Sequence, residues 1–302
     1  MGNPSFAIPT LKAIQDSEHS LKAIVSNPPK PMGRGRKLQS TPVGEFAKAN
    51  NIKLIEPSSL QSSSLKEKLI ELRPDIFVIV AYRILPEEII NIPQNGSINL
   101  HASLLPKYRG AAPIQWALMN GDKVTGVTIF QISKKVDTGK ILLQKEMEIY
   151  NHDNMLTLGT RLCSLGAGLI INVLDKIDKN SINMIEQDHD MVSFAPKINK
   201  EMRLINWHWT SIKIHNWVRG LSPMPGMYTY LGQKLLRIYK TSFINNEIFK
   251  PGKVIESEKR LLVGTGSGVI EILELQLEGR KKLLAKDFIR GIDIVPGQIL
   301  GR

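Results

Sequence analysis

The stretch SINLHASLLPKYRG (97–110) sets two hydrogen-bonding side chains, Asn99 and His101, two residues apart where an apolar run ends. In a strand, residues i and i+2 face the same side, so both point into whatever lies at the strand's end. An asparagine amide donates to a developing oxyanion, and a histidine moves a proton near neutral pH. The plainer alternative is a satisfied core histidine beside an asparagine turn. A third candidate, Asp137 in KKVDTGKIL, stands at a polar turn just ahead of a glycine. Its carboxylate is suited to orienting His101 or to taking the proton of an attacking amine; alone it reads as a turn-forming aspartate. Between the pair and the acid, Ser103, Leu104, Leu105 and Pro106 offer apolar side chains and open backbone on which a flat heterocycle can lie. Without such a ligand the same residues are a strand-to-helix connection stopped by a proline.

The surrounding pattern alternates strands and helices. LKAIVS (21–26), IKLIE (52–56), IFVIV (76–80) and SINLH (97–101) read as strands, and IFVIV is apolar throughout, as a parallel strand buried on both faces must be. Asn3 and Pro4 predict the cap and first turn of an opening helix. Ser64 and Glu67 form the capping-box pattern ahead of another, and Pro113 to Gly121 bracket a third. TGVTIFQIS and GKILLQKEMEIY predict an antiparallel strand pair, and residues 155–177 the longest helix. NPPKPMGRGRKLQSTP is too rich in Pro and Gly for regular structure and is expected to be a long loop. Residues 178–200 are polar and irregular; short strands separated by Gly and Asn turns follow a tryptophan-bearing helix at 210–221. The expected architecture is α/β: a Rossmann-like, mainly parallel sheet domain over 1–180, a linker over 181–203, and a small OB-like β-barrel over 204–302. The first helix begins at residue 4 with no strand ahead of it, whereas a doubly wound sheet normally starts with a central strand. The first strand is therefore expected to be missing.

Charge is unevenly placed. Residues 1–200 carry 24 lysines and arginines against 19 acids, a net of +5, and residues 201–302 carry 16 against 9, a net of +7. Within the first part, 26–40 alone holds Lys30, Arg34, Arg36 and Lys37 with no acid. Segregated positive charge points to a polyanion, nucleic acid first; solubility alone is the bland alternative. The single cysteine, Cys163, lies in an apolar stretch and fits a reducing cytoplasm. No unbroken apolar run approaches a membrane span, and no secretory leader opens the chain. The six histidines are scattered and one cysteine makes no thiolate site, so no metal is expected. There is neither a Walker loop nor a GxGxxG after a strand.

In this order, NLHASLLPKYRGAAPIQWAL and TGVTIFQISKKVDTG resemble the signature of the formyltransferases that use N10-formyltetrahydrofolate. RGAAPIQWAL, the loop NPPKPMGRGRKLQSTPV and VAYRILPEEI resemble the branch that acts on charged tRNA, and the likeness runs from residue 1 to about 300. The resemblance implies Asn99, His101 and Asp137 as the catalytic set, with Ser103, Leu104, Leu105 and Pro106 at the folate site. It implies Arg34, with Arg36 and Lys37 beside it, against the acceptor end of a tRNA. It also implies N10-formyltetrahydrofolate as co-substrate without a metal, and initiator methionyl-tRNA as acceptor. A monomeric cytoplasmic enzyme clear of membranes is expected. The departure is at the start: the family pattern has a short apolar strand ending in a Met-Gly-Thr-Pro-like turn, whereas this chain opens at MGNP, so a start assigned too far downstream is expected. Alternatives stay open: a formyltransferase acting on an amino-sugar nucleotide or glycinamide ribonucleotide, a formyltetrahydrofolate hydrolase, a non-catalytic RNA-binding module, and a degenerate pseudoenzyme.

Overall fold

Short β-branched runs build the first sheet of the computed structural model, which describes residues 1–33, 35–244, 248–256, 258–292 and 294–301. In chain order come α1 (Ile8–Gln15), β1 (Ile24–Val25), β2 (Lys30–Met32), β3 (Lys37–Gln39), α2 (Pro42–Ala49), β4 (Leu54–Ile55), α3 (Ser63–Glu71), β5 (Phe77–Val80), α4 (Glu87–Ile90), β6 (Ser97–His101) and β7 (Arg109–Gly110). Then follow α5 (Pro113–Asn120), β8 (Val124–Gln131), β9 (Ile141–Glu148), α6 (Met155–Asp178) and β10 (Phe194–Ala195). The last third holds α7 (Ser211–Gly220), β11 (Met227–Leu231), β12 (Lys234–Ile244), β13 (Val254–Glu256), β14 (Leu261–Gly264), β15 (Val269–Leu277), β16 (Leu283–Leu284) and α8 (Ala285–Gly291). The chain divides into one unit of Met1–Gly110, Val124–Glu148 and Gly159–Phe194, and a second of Ala111–Lys123, Ile149–Leu158 and Ala195–Arg302.

In the first unit β5 runs parallel to β6, and β6, β8 and β9 continue antiparallel; β1 pairs in parallel with β4. The sheet is thus parallel up to β6 and antiparallel beyond it. Met1 and Gly2 lie between β1 and β5. The Val80 N–H donates to the Met1 carbonyl (2.9 Å), the Gly2 N–H donates to the Val25 carbonyl (3.1 Å), and the Met1 amino group donates to the Val78 carbonyl (2.6 Å). Among the described residues only these two occupy the place expected for a strand ahead of α1. A cavity of about 230 Å³ adjoins them, lined by apolar residues such as Leu11, Val25, Phe77 and Leu174 and by polar ones such as His19 and Asp75. Burial pushes the Met1 amine from 8.0 down to about 5.

Four local expectations are corrected. The Pro- and Gly-rich segment after β1 contains an antiparallel ribbon, with Lys30 opposite Gln39 and Met32 opposite Lys37. Asn3 does not cap a helix. Its Oδ1 accepts the Asn27 N–H (2.9 Å) and the Ser26 hydroxyl (3.3 Å), tying the N-terminus to the end of β1. The capping box at Ser64 does not form, because α3 starts earlier with Ser62 at its N-cap and no side-chain cap bond. Finally, α6 is long and apolar enough to cross a bilayer by length and composition, at 24 residues with an 18-residue stretch of mean hydropathy 1.4. Its Leu158, Leu162, Ile170 and Val173 are instead packed into the protein core.

In the second unit the sheet order is β11-β12-β15-β14-β13 with β16 beside β15. Register shifts in β12 between Ile238 and Thr241 add local twist, and the result is a curled antiparallel half-barrel, in keeping with the small barrel-like domain expected there. Ile214 and Val218 of α7 are buried with Leu236, Ile238, Ile270, Leu275 and Phe288. His215, on α7, bonds through Nδ1 to the Thr241 hydroxyl (3.0 Å). Burial, then the charge of Arg219, lowers its pKa from 6.5 to about 4. Between those values the unfolded chain binds a proton that the folded chain does not, so stability falls as pH drops below 6.5 and levels off below about 4. The loss is at most on the order of 3 kcal/mol. Urea melts between pH 7 and 4 should therefore be flatter for His215→Gln than for the parent; parallel curves would refute the assignment.

Candidate active site

The ends of β6 and β8 converge on one group of side chains. Asn99 sits in the middle of the ladder, opposite Ile79 of β5 and Phe130 of β8, and His101 lies opposite Thr128. Strand alternation puts Asn99 and His101 on one face; Asn99 is half-buried and His101 buried. The His101 ring meets Phe130 edge-on at 6.4 Å between centroids. Its Nε2 is 2.9 Å from the Tyr108 carbonyl. A carbonyl only accepts, so Nε2 carries the proton and Nδ1 is the position left for exchange. That nitrogen is 3.8 Å from Asp137 Oδ2, with the two side chains only 7% and 11% exposed. This is ion-pair range when the imidazole is charged, and too long for a direct hydrogen bond. The structure therefore brings His101 and Asp137 together, across a gap into which a small polar group can reach.

Asp137 is held from several directions. Its Oδ2 accepts the Gly110 N–H at 2.8 Å. Its backbone is left-handed, at φ 54°, which an aspartate tolerates better than most residues. Two residues on, Gly139 is obligatory: a Cβ there would sit 1.7 Å from the Gln131 carbonyl. Close by, Arg109 is buried at 7% exposure. Burial pulls its pKa down and the Asp137 charge pulls it back up.

The SLLP segment is fixed from beneath. The Thr128 hydroxyl donates to the Ser103 carbonyl (2.6 Å) and accepts the Leu105 N–H (3.0 Å); Gln144 Nε2 donates to the Leu105 carbonyl (2.9 Å) and to Thr128 Oγ1 (2.8 Å). Ser103 Oγ donates to the Lys107 carbonyl at 2.6 Å. Ser103 and Leu105 are buried, whereas Leu104 and Pro106 are half-buried. This corrects the open-backbone expectation: at Ser103 and Leu105 those groups already have partners, and the segment presents the side chains of Leu104 and Pro106. Gly126 lets Leu104 lie against β8, since a Cβ there would come 2.5 Å from Leu104 Cδ2.

Of the basic loop residues, Arg34 lies outside the described residues. Arg36 and Lys37 are exposed on the turn and first residue of β3. Cys163 is buried in α6, donates to the Thr160 carbonyl (3.1 Å), and has its thiol pushed up by burial, the reverse of an activated nucleophile. The sequence reading passed over Thr128, Gln144, Arg109 and Gln187. Thr128 and Arg109 lie inside the quoted motifs, but their roles depend on contacts with distant segments.

Residues 1–174 match the formyl transferase family model, and residues 197–293 match that of the formyl transferase C-terminal domain. The chain is 43% identical over 297 residues to the methionyl-tRNA formyltransferase of Thermodesulfovibrio yellowstonii, covering 98% of this chain and 96% of that protein. It is 41% identical over 303 residues to the same-named protein of Geobacter metallireducens, covering 100% and 97%. Among solved structures, the fold is similar to an N-formyltransferase from Helicobacter canadensis in complex with folinic acid and dTDP-3-aminofucose. There the TM-score is 0.67 at 23% identity, over 90% of this chain and 97% of that one. HypX from Aquifex aeolicus in complex with tetrahydrofolic acid gives 0.61 at 16% identity, over 81% and 43%. With both of its halves matched and its relatives alike from end to end, the chain belongs to the formyltransferase family.

Proposed function

We propose that this enzyme transfers the formyl group of N10-formyltetrahydrofolate to the α-amine of methionine on initiator methionyl-tRNA. The observation that carries the chemistry is the 3.8 Å approach of His101 Nδ1 to Asp137 Oδ2, beside an asparagine on the same strand face. An α-amine with a pKa of about 7.7–8.0 needs only a modest base to be free for attack. The amine nitrogen attacks the formyl carbon and the carbonyl becomes a tetrahedral oxyanion. Asn99 donates to that oxygen, as does His101 through Nδ1 when protonated. Asp137 takes the proton from the attacking nitrogen and is kept close to the imidazole that it stabilises. Collapse breaks the bond to N10, which leaves with one proton, so the net movement is a formyl group one way and a proton the other. The enzyme–carboxylate pair returns to its starting state, and no covalent intermediate on the protein is required.

Leu104 and Pro106 form the apolar shelf for the pterin, held at its level by Thr128 and Gln144. Residues 1–180 carry the chemistry, 181–203 connect, and 204–302 hold the tRNA; the net +7 over 201–302 supports that division. Arg34, Arg36 and Lys37 engage the acceptor end. The enzyme works as a cytoplasmic monomer clear of membranes, in keeping with a lone thiol that is buried rather than paired.

One experiment tests acceptor and loop together. Purified protein given formyltetrahydrofolate and charged initiator tRNA should produce formyl-methionine, while charged elongator tRNA, an amino-sugar nucleotide and glycinamide ribonucleotide should not be formylated. Changing Arg36 and Lys37 together to alanine should raise KM for tRNA several-fold and lower the slope of log Kd against log salt by about 1 to 2. Formylation of a small amine in preference to tRNA would overturn the acceptor, and an unchanged salt slope would overturn the loop's role.

A further inference from the structure

The carboxylate of Asp137 is only as useful as its placement, and one side chain distant in sequence bonds to the backbone of its loop. Gln187 lies in the polar segment after α6 and is 4% exposed. Ile185 pairs with Ile141 at the start of β9, N–H to carbonyl in both directions (2.8 and 2.9 Å), which turns Gln187 toward the Asp137 loop. Gln187 Nε2 donates to the Asp137 carbonyl (3.0 Å) and to the Gly139 carbonyl (2.8 Å). Its Oε1 accepts from Arg109 Nε (3.0 Å) and Nη2 (2.6 Å). Both amide protons and the amide oxygen are used, so the side chain has one orientation.

These contacts close a ring. Arg109 is followed in sequence by Gly110, whose N–H holds Asp137 Oδ2. The backbone of Asp137 is thus held by Gln187 and its carboxylate by Gly110, while Arg109 links the two supports. The backbone of Asp137 is in the left-handed region, which is uncommon outside glycine even though aspartate tolerates it, and these bonds help to hold it there.

We propose that Gln187 is a positioning residue for formyl transfer: it fixes Asp137 relative to His101 Nδ1 and keeps the Arg109 guanidinium from collapsing onto the carboxylate. The inference rests on the reading of Asp137 as the proton acceptor. Among the described residues, the charged groups facing Asp137 are His101 and Arg109. Lys134 and Lys135, on the same loop, are exposed, and Lys134 Nζ approaches Glu87 at 3.6 Å. Removing the amide releases Arg109 toward Asp137, which favours the ionised carboxylate. Replacing it with a carboxylate competes for Arg109 and acts in the opposite sense.

The test is steady-state formylation as a function of pH for Q187M and Q187E. Each should lower kcat by about ten- to a hundredfold, with KM for folate and for tRNA within about twofold. The acid limb of the kcat profile should move to lower pH in Q187M and to higher pH in Q187E, by at least half a unit in each case. A merely structural role lowers both in proportion to folded protein and leaves the limb in place. Folded variants with parental kcat, or reduced kcat on an unmoved limb, overturn the proposal. If both variants fail to fold, Q187N carries the test, since it keeps the amide but shortens its reach to Arg109 and to the Asp137 carbonyl. A moved limb then supports the inference and an unmoved one defeats it. D137N is assayed alongside: near-parental turnover there means that the reading of Asp137 has failed, whereas an inactive D137N beside unaffected Gln187 variants means that this inference alone has.

Discussion

Asp137→Asn is expected to lower kcat by about 10³- to 10⁴-fold while the protein folds and binds both substrates normally. The amide is the same size as the carboxylate and keeps an oxygen for the Gly110 N–H, so the loop geometry survives. What is lost is the negative charge facing His101 Nδ1 across 3.8 Å, and with it, in the proposed mechanism, both the acceptor for the amine's proton and the partner of an imidazolium. Single-turnover formylation at saturating folate and charged tRNA measures the chemical step directly. A rate within tenfold of the parent would remove Asp137 from the reaction.

Asn99→Ala is expected to cost about 10²- to 10³-fold in kcat, the usual effect of deleting one oxyanion donor, on the order of 3–4 kcal/mol in the barrier. KM for both substrates should stay close to the parental values, since the bond matters only as charge develops on the formyl oxygen. The strand itself should tolerate the change: Asn99 is held in the ladder by its backbone, between Ile79 and Phe130. If the loss appears in KM for folate with kcat unchanged, Asn99 binds the ground state and the oxyanion must be held elsewhere.

The sequence made Asn99 and His101 legible as a pair because strand periodicity fixes their shared face wherever the strand lies. Asp137 was legible only through its motif; nothing in its local context reports the distance to His101. Gln187 was invisible, because it belongs to a polar stretch without periodicity and acquires its role from a two-residue pairing with β9. The ribbon at 30–39 was missed for another reason. Pro and Gly argue against regular structure, but Pro31 stands on an isolated two-stranded ribbon, where a missing N–H donor is tolerated. Asn3 failed as a cap because a stronger use for its side-chain oxygen existed 24 residues away, at the Asn27 N–H. Buried apolar runs gave the elements, and long-range polar contacts gave the site its geometry; only the former carry a local signature.

The division of the chain has a consequence for recombination. It passes between its two units at 110–111, 123–124, 148–149, 158–159 and 194–195, so the second unit is assembled from three separated pieces. Within it, Arg219 of α7 donates to the carbonyls of Tyr150 (3.3 Å) and Asp153 (3.4 Å), and Gly121 at the end of α5 leaves room for Asn216. A chimera joined once, near residue 194, would pair the C-terminal part of one parent with the α5 and 149–158 segments of the other. Exchange between relatives should succeed when those two short segments travel with the C-terminal part, so that inheritance in this fold follows contacts rather than chain order.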